Sequence, residues 1–208
     1  SPNYQSIEGK WNFVWYKHLS DAYPADFYAL NYDDSKWDAM PVPGLWEMNG
    51  YGDPVYSNKG YAWDNVFVDC PPTVPQFNNH RGLYRRYIDV PATWRGKQIF
   101  VHIGSATSNL KMWVNGKMVG YSEDSKLEAV FDITKYIKAG QRNLFAMEIH
   151  RWCDGSYLED QDFWRLSGIA RDCYIYARDR AHIKDIKYTA ALENEYQDGV
   201  LSLNIDLT

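Results

Sequence analysis

The chain has 208 residues, which suits one large all-β domain, or one domain plus part of the next, with a substantial core. A net charge of −5 with Lys and Arg scattered leaves no basic stripe for phosphate backbones, and no apolar run approaches the roughly 18 residues of a membrane span. Neither nucleic acid nor a membrane is therefore an expected partner.

Aromatic residues make up 16% of the chain, an excess that favours strands and large cores and also supplies ring faces for the C–H face of sugars. For any single ring, core packing is the expected role. Cys70, Cys153 and Cys173 form neither a C-x-x-C pair nor a Cys/His zinc spacing, so no redox motif and no structural metal are indicated. The chain opens at Ser1-Pro2-Asn3-Tyr4 without a basic and apolar leader, and the compartment stays open between bacterial cytoplasm and periplasm.

In chain order, Trp11-Asn12-Phe13-Val14-Trp15 alternates large apolar with other residues and predicts a strand buried on one face. Residues 33 to 61 carry Pro41, Pro43, Gly44, Gly50, Gly52 and Pro54, a density of breakers that predicts a long ordered loop with short extended pieces. Residues 84–90 and 98–103 have strand composition and are expected to pair across the turn through Trp94 and Gly96. Leu110–Val114 and Lys117–Tyr121 flank Asn115-Gly116, which takes the positive φ angles of a two-residue type I′ turn. Phe131-Asp132-Ile133-Thr134 is expected to lead into a short helical turn ended by Gly140. Strands follow at Asn143–Trp152 and at 172–178.

Short strands with almost no helical periodicity predict a β-sandwich of jelly-roll type over residues 1–178. Beyond Arg178, two further runs, 183–190 and 199–207, predict the opening hairpin of a second β domain over 179–208.

The segment Trp152 to Asp172 sets acidic residues among aromatics in one loop between strands. Carboxylates accept charge-assisted hydrogen bonds from hydroxyls while an aromatic wall takes an apolar ring face, a mixture that suits sugars; a solvated acidic loop held by Arg165 and Arg171 is the plainer alternative. His18, His80, His102, His150 and His182 are dispersed, and His102 and His150 fall in strand patterns that favour structural roles. Trp113 and Trp152 are expected in the core. Trp46, Trp63 and Trp164 lie in loops, where contact with sugar or another domain is expected.

Three segments taken together, Trp46 to Asn58, Gly120 to Ser125 and Trp152 to Asp172, resemble the amino-terminal sugar-binding domain of bacterial β-galactosidases in glycoside hydrolase family 2, and the likeness runs through most of residues 8–178. The resemblance implies a galactose-binding-like jelly roll, then an immunoglobulin-like domain, then a TIM barrel holding both catalytic glutamates. It places the family's galactose-contacting asparagine on Asn58 and its aspartate on Asp162. Asp162 would also share a Na+ ion with the barrel. Glu123 and Asp154 match positions near a secondary divalent-ion site, with loop hydrogen bonding as the alternative. Na+ and Mg2+ are thus expected for a full enzyme, neither fully bound by this chain. Gly44-Leu45 departs from the Ser-Asn or Ser-Cys of many relatives, and Ser57 replaces a common Thr.

No catalytic residue is expected in this chain. A retaining glycosidase needs two carboxylates about 5 to 5.5 Å apart, and a barrel needs about 200 residues or more of alternating strand and helix. The sole Asn-Glu pair, Asn194-Glu195, lies outside any matching context. The expected role is a non-catalytic domain of a β-galactosidase, with a β-galactoside substrate, the barrel of the same polypeptide as partner, and a homo-oligomeric full enzyme. A free-standing carbohydrate-binding module, the same domain of a β-glucuronidase or β-mannosidase, and a domain for subunit contacts are the competing readings.

Overall fold

The computed structural model describes residues 1–63, 67–159 and 161–208. Its strands are β1 (Tyr4–Ser6), β2 (Gly9–Tyr16), β3 (Asp38–Val42), β4 (Gly44–Leu45), β5 (Val55–Ser57), β6 (Arg81–Asp89), β7 (Gln98–Ile103), β8 (Ala106–Thr107) and β9 (Leu110–Val114). They continue with β10 (Lys117–Ser122), β11 (Ala129–Asp132), β12 (Arg142–His150), β13 (Phe163–Arg165), β14 (Gly168–Ile169), β15 (Cys173–Arg178), β16 (Ile183–Glu193) and β17 (Asp198–Leu207). Among the described residues no helix is long and apolar enough to cross a membrane.

A six-stranded sheet, in order β10-β9-β12-β6-β2-β3, faces a four-stranded sheet, in order β1-β15-β7-β11. Period-two alternation builds the layer between them: Ile99, Val101 and Ile103 of β7 point inward, as do Trp11 and Phe13 of β2 and Phe145, Met147 and Ile149 of β12. The architecture is the jelly-roll sandwich expected from the sequence. The Asn115-Gly116 hairpin forms as expected, with φ of 49° and 79° and Lys117 opposite Val114.

One local expectation is corrected. Residues 84–90 and 98–103 do not pair: β6 lies between β12 and β2, whereas β7 lies between β15 and β11 in the opposite sheet. The turn through Trp94 carries the chain across the core, and Trp94 is buried there with its indole N–H donating to the Pro2 carbonyl. Residues 131–134 lead into a short helical turn as expected: Phe131 and Asp132 end β11, the Tyr136 and Ile137 amides both donate to the Ile133 carbonyl, and Gly140 follows with φ of 82°.

The loop before β3 covers the outer face of the larger sheet. Phe27 packs with Leu83, Trp113 and Ala146, and the buried Arg85 pins the loop by bonding Asp34 at 2.8 Å and the carbonyls of Phe27, Ala29 and Tyr32. With the ion pair and these acceptors satisfied, the buried guanidinium is compensated.

His80 is 1% exposed, with Nε2 against Asn78 Oδ1 at 3.1 Å and its ring edge-on to Trp15. Burial, then the charge of Arg151, pushes its pKa down from 6.5 to about 3. The unfolded chain takes up that proton near 6.5 and the folded chain does not. The His80 contribution is therefore complete above pH 6.5 and is lost as pH falls toward 3. The slope is up to about 1.4 kcal/mol per pH unit. Urea unfolding at about pH 7 and about pH 4 should show a smaller acid loss in His80→Gln than in the unaltered protein.

The hairpin β16–β17 pairs from Ile183↔Leu207 to Glu193↔Asp198 with one register shift between Ile183 and Asp185, and its side chains are almost all exposed, including Ile186, Tyr188, Leu203 and Ile205. A two-stranded ribbon with an uncovered apolar face is marginal in water.

Candidate functional site

Two loops separated widely in sequence meet in the two-stranded ribbon β5–β13. Val55-Tyr56-Ser57 is held between breakers at Pro54 and Gly60, and it pairs antiparallel with Phe163-Trp164-Arg165. Phe163 stands opposite Ser57 and Trp164 opposite Tyr56. Asp162 immediately precedes β13 and Asn58 immediately follows β5, so each is joined to one member of the Phe163–Ser57 pair. Val55, Ser57, Phe163 and Arg165 are half-buried, whereas Tyr56, Asn58, Asp162 and Trp164 are exposed. The ribbon thus brings a carboxylate and two aromatic rings together, with an exposed carboxamide at its end. The Tyr56 and Trp164 rings lie 5.6 Å apart at 55°, and the Tyr56 hydroxyl donates to Asp162 Oδ1 at 2.6 Å. That donation raises the Tyr56 pKa above its ordinary value, chiefly because the phenolate would lose the bond.

The supporting framework is built by the same loops. Arg165 Nη1 donates to the Glu159 carbonyl at 3.1 Å and Nη2 to the Gln161 carbonyl at 2.7 Å, spanning the arch that ends at Asp162. Phe163 lies under two cations, Lys126 Nζ at 4.3 Å and the Arg165 guanidinium at 4.2 Å from its centroid. Glu159 is paired with Lys126 at 3.6 Å, so it does not stand free as a catalytic partner to Asp162. Behind the ribbon, Tyr61, Trp63, Trp152 and Tyr157 form a ring cluster, and the Tyr61 hydroxyl donates to the Tyr157 carbonyl at 3.2 Å. These contacts fix the two loops to one another. Asp160, within the acidic segment, lies outside the described residues.

Of the three loop tryptophans expected to meet sugar or another domain, only Trp164 is placed for it, 57% exposed. Trp46 is 0% exposed, its indole N–H donating to the Tyr84 hydroxyl, and Trp63 is 1% exposed, its N–H donating to Asp69 at 2.9 Å. Short strands and aromatic neighbours fold over both, which no local composition reveals. Trp113 and Trp152 are buried as expected. At Gly44 a Cβ would stand 2.2 Å from the Pro41 carbonyl oxygen, so this backbone admits only glycine there. Asn194 and Glu195 form the hairpin tip with φ of 50° and 55°, and Asn194 Nδ2 donates to Asp198. That is a turn, not an acid/base site.

Glu123 and Asp154 come together. One carboxylate oxygen of each and the Cys153 sulfur all lie within 4.8 Å of one another. Burial, and then the Asp154 carboxyl beside it, raises the Glu123 pKa, while donation from the Tyr121 hydroxyl opposes the rise. Two neighbouring carboxylates offer the hard oxygen ligands that a divalent cation takes. Cys153 does not fit a hard cation; its thiol is buried and faces the Ser108 carbonyl at 3.8 Å. Glu123, Glu159 and Asp162 line one open depression. The adjoining recess, lined by Trp63, Arg151 and Phe163, holds only about 40 Å3, far below the roughly 300 Å3 of a small-molecule pocket.

The fold is thus a β-sandwich domain of jelly-roll type whose surface ribbon presents a carboxylate beside two aromatic rings. Residues 4–179 match the model of the glycosyl hydrolases family 2 sugar binding domain, and the chain belongs to that family. It is 40% identical over 205 residues to a β-galactosidase of Priestia megaterium, covering 98% of this chain and 20% of that protein. The Vibrio cholerae β-galactosidase is 39% identical over 206 residues, covering 99% and 19%. The chain therefore spans about a fifth of the length of these curated relatives. Among solved structures, a Ruminococcus gnavus β-glucuronidase in complex with uronic isofagomine superposes with a TM-score of 0.69 at 20% identity, covering 99% of this chain and 33% of that one. A Bacteroides vulgatus β-glycosidase gives 0.68 at 23%, covering 98% and 24%. At these identities the structural likeness is one of fold.

Proposed function

We propose that the chain is the non-catalytic sugar-binding domain of a β-galactosidase, completing a galactose pocket whose catalytic carboxylates belong to a barrel in the same polypeptide. The observation that carries this reading is the ribbon β5–β13, which brings the exposed Asp162 onto the Tyr56 hydroxyl beside Trp164, with the exposed Asn58 directly following β5. Asp162 accepts hydrogen bonds from galactosyl hydroxyls, and Asn58, donor and acceptor at once, fixes orientation. The free Asp162 oxygen suits a Na+ ion whose other ligands come from the barrel, and Glu123 with Asp154 suits Mg2+. Residues 179–208 are the first hairpin of a second, immunoglobulin-like domain, and the uncovered face of β16–β17 is the surface that the rest of that domain would bury. The full enzyme is read as a homo-oligomer. The preference for galactosides over glucuronides follows the sequence relatives, which are 40% and 39% identical, rather than the structural ones at 20% and 23%.

Magnitudes agree with a domain that completes a pocket without forming one. Hydrogen bonds from Asp162 and Asn58 supply about 3 to 5 kcal/mol, against an association cost of about 4 kcal/mol or more. Calorimetry of the 208-residue chain against galactose and lactose should give dissociation constants of about 1 mM or weaker, with no hydrolysis. Micromolar affinity would instead establish a free-standing carbohydrate-binding module.

A further inference from the structure

We propose that Tyr56 is a positioning residue, holding the Asp162 carboxylate in the one orientation that serves the pocket; this rests on the role proposed for Asp162. The ribbon register makes the contact unavoidable. Trp164 is directly opposite Tyr56, and Asp162, two residues before Trp164, occupies the diagonal place on the same face. The phenol spans that diagonal and donates to Oδ1 at 2.6 Å, a length typical of a bond to an ionised carboxylate.

An exposed carboxylate on a loop end turns about two side-chain bonds. Here one oxygen is engaged and the other, Oδ2, is directed away from the phenol and left for a hydroxyl or cation. The donor is itself restrained, because the Tyr56 ring packs against Trp164 at 5.6 Å and its backbone is fixed in β5. Ring packing on Trp164 and the bond to Oδ1 together restrain the two side-chain torsions of Tyr56, so the carboxylate is oriented before sugar arrives. Tyr56 never needs to touch the sugar for this to matter.

The test is a double-mutant cycle in the full-length enzyme that carries this domain, with Tyr56→Phe, Asp162→Ala and the pair, reading KM and kcat on a β-galactoside and the Na+ concentration for half-activation. Phenylalanine keeps the ring against Trp164, and an unchanged melting temperature for Tyr56→Phe shows that packing is retained. The expected result is about a tenfold rise in KM or in the Na+ midpoint for Tyr56→Phe, and no further effect of that change once Asp162 is alanine. An equal effect in both backgrounds overturns the proposal, since Tyr56 would then act on something other than Asp162. So does wild-type behaviour of Tyr56→Phe beside a large loss in Asp162→Ala, an outcome that leaves the role of Asp162 intact. Unaltered kinetics in Asp162→Ala overturn both.

Discussion

Asp162→Asn in the full-length enzyme should lower kcat/KM for β-galactosides by about a hundredfold or more. The change is nearly isosteric and falls on an exposed side chain, so the fold is unaffected. What is lost is the charge: each hydrogen bond to an ionised acceptor contributes about 1.5 to 3 kcal/mol, and a carboxamide also replaces an anionic cation ligand with a neutral one. Two such losses correspond to about 3 to 6 kcal/mol, and about 1.4 kcal/mol is tenfold in rate. Steady-state kinetics over a range of NaCl concentrations would separate the parts. The sugar contribution should persist at saturating Na+, whereas the cation contribution should shrink there. Turnover equal to that of the unaltered enzyme at every concentration would remove Asp162 from the site.

Gly168→Ala should destabilise the domain by about 3 kcal/mol or more, a large fraction of the roughly 5 to 15 kcal/mol that holds a domain together. Gly168 adopts φ of +105°, and a Cβ there would lie 2.6 Å from the Gly44 carbonyl oxygen and 3.1 Å from the Trp46 ring. Neither can retreat. β14 is bonded to β4 on one side and β8 on the other, and Trp46 is fully buried. The substitution therefore adds a backbone clash to the strain of a left-handed residue with a side chain. Gly96→Ala is the control, because its φ of +80° carries the same kind of strain with nothing within 4 Å of the new methyl. Unfolding free energies from urea titrations should fall by about 1 kcal/mol for Gly96→Ala and by several times that for Gly168→Ala. Because β14 follows the arch bearing Asp162, the same change should loosen the site before the domain unfolds.

The legible parts of the fold are those decided within a few residues. Asn115-Gly116 carries its own turn geometry, and the alternation in β2 and β7 names the inward residues without reference to their partners. The pairing of residues 84–90 with 98–103 was misread because strand composition says that a segment pairs, not with what. Burial of Trp46 and Trp63 was hidden for a similar reason: both stand among breakers, and the strands and rings that cover them come from elsewhere in the chain.

The site divides along the same line. Residue types and order alone supplied Asp162, Asn58, Glu123 and Asp154 as candidates through their likeness to family motifs, and they fixed the absence of a barrel pattern. That the segments carrying Asp162 and Asn58 pair in one ribbon, that Glu123 reaches Asp154, and that Tyr56 bonds a carboxylate 106 residues away were decided by the fold. A hydrogen bond of 2.6 Å requires the two backbones to be set by strands pairing in one register, and register depends on the sum of contacts across both sheets rather than on either segment by itself.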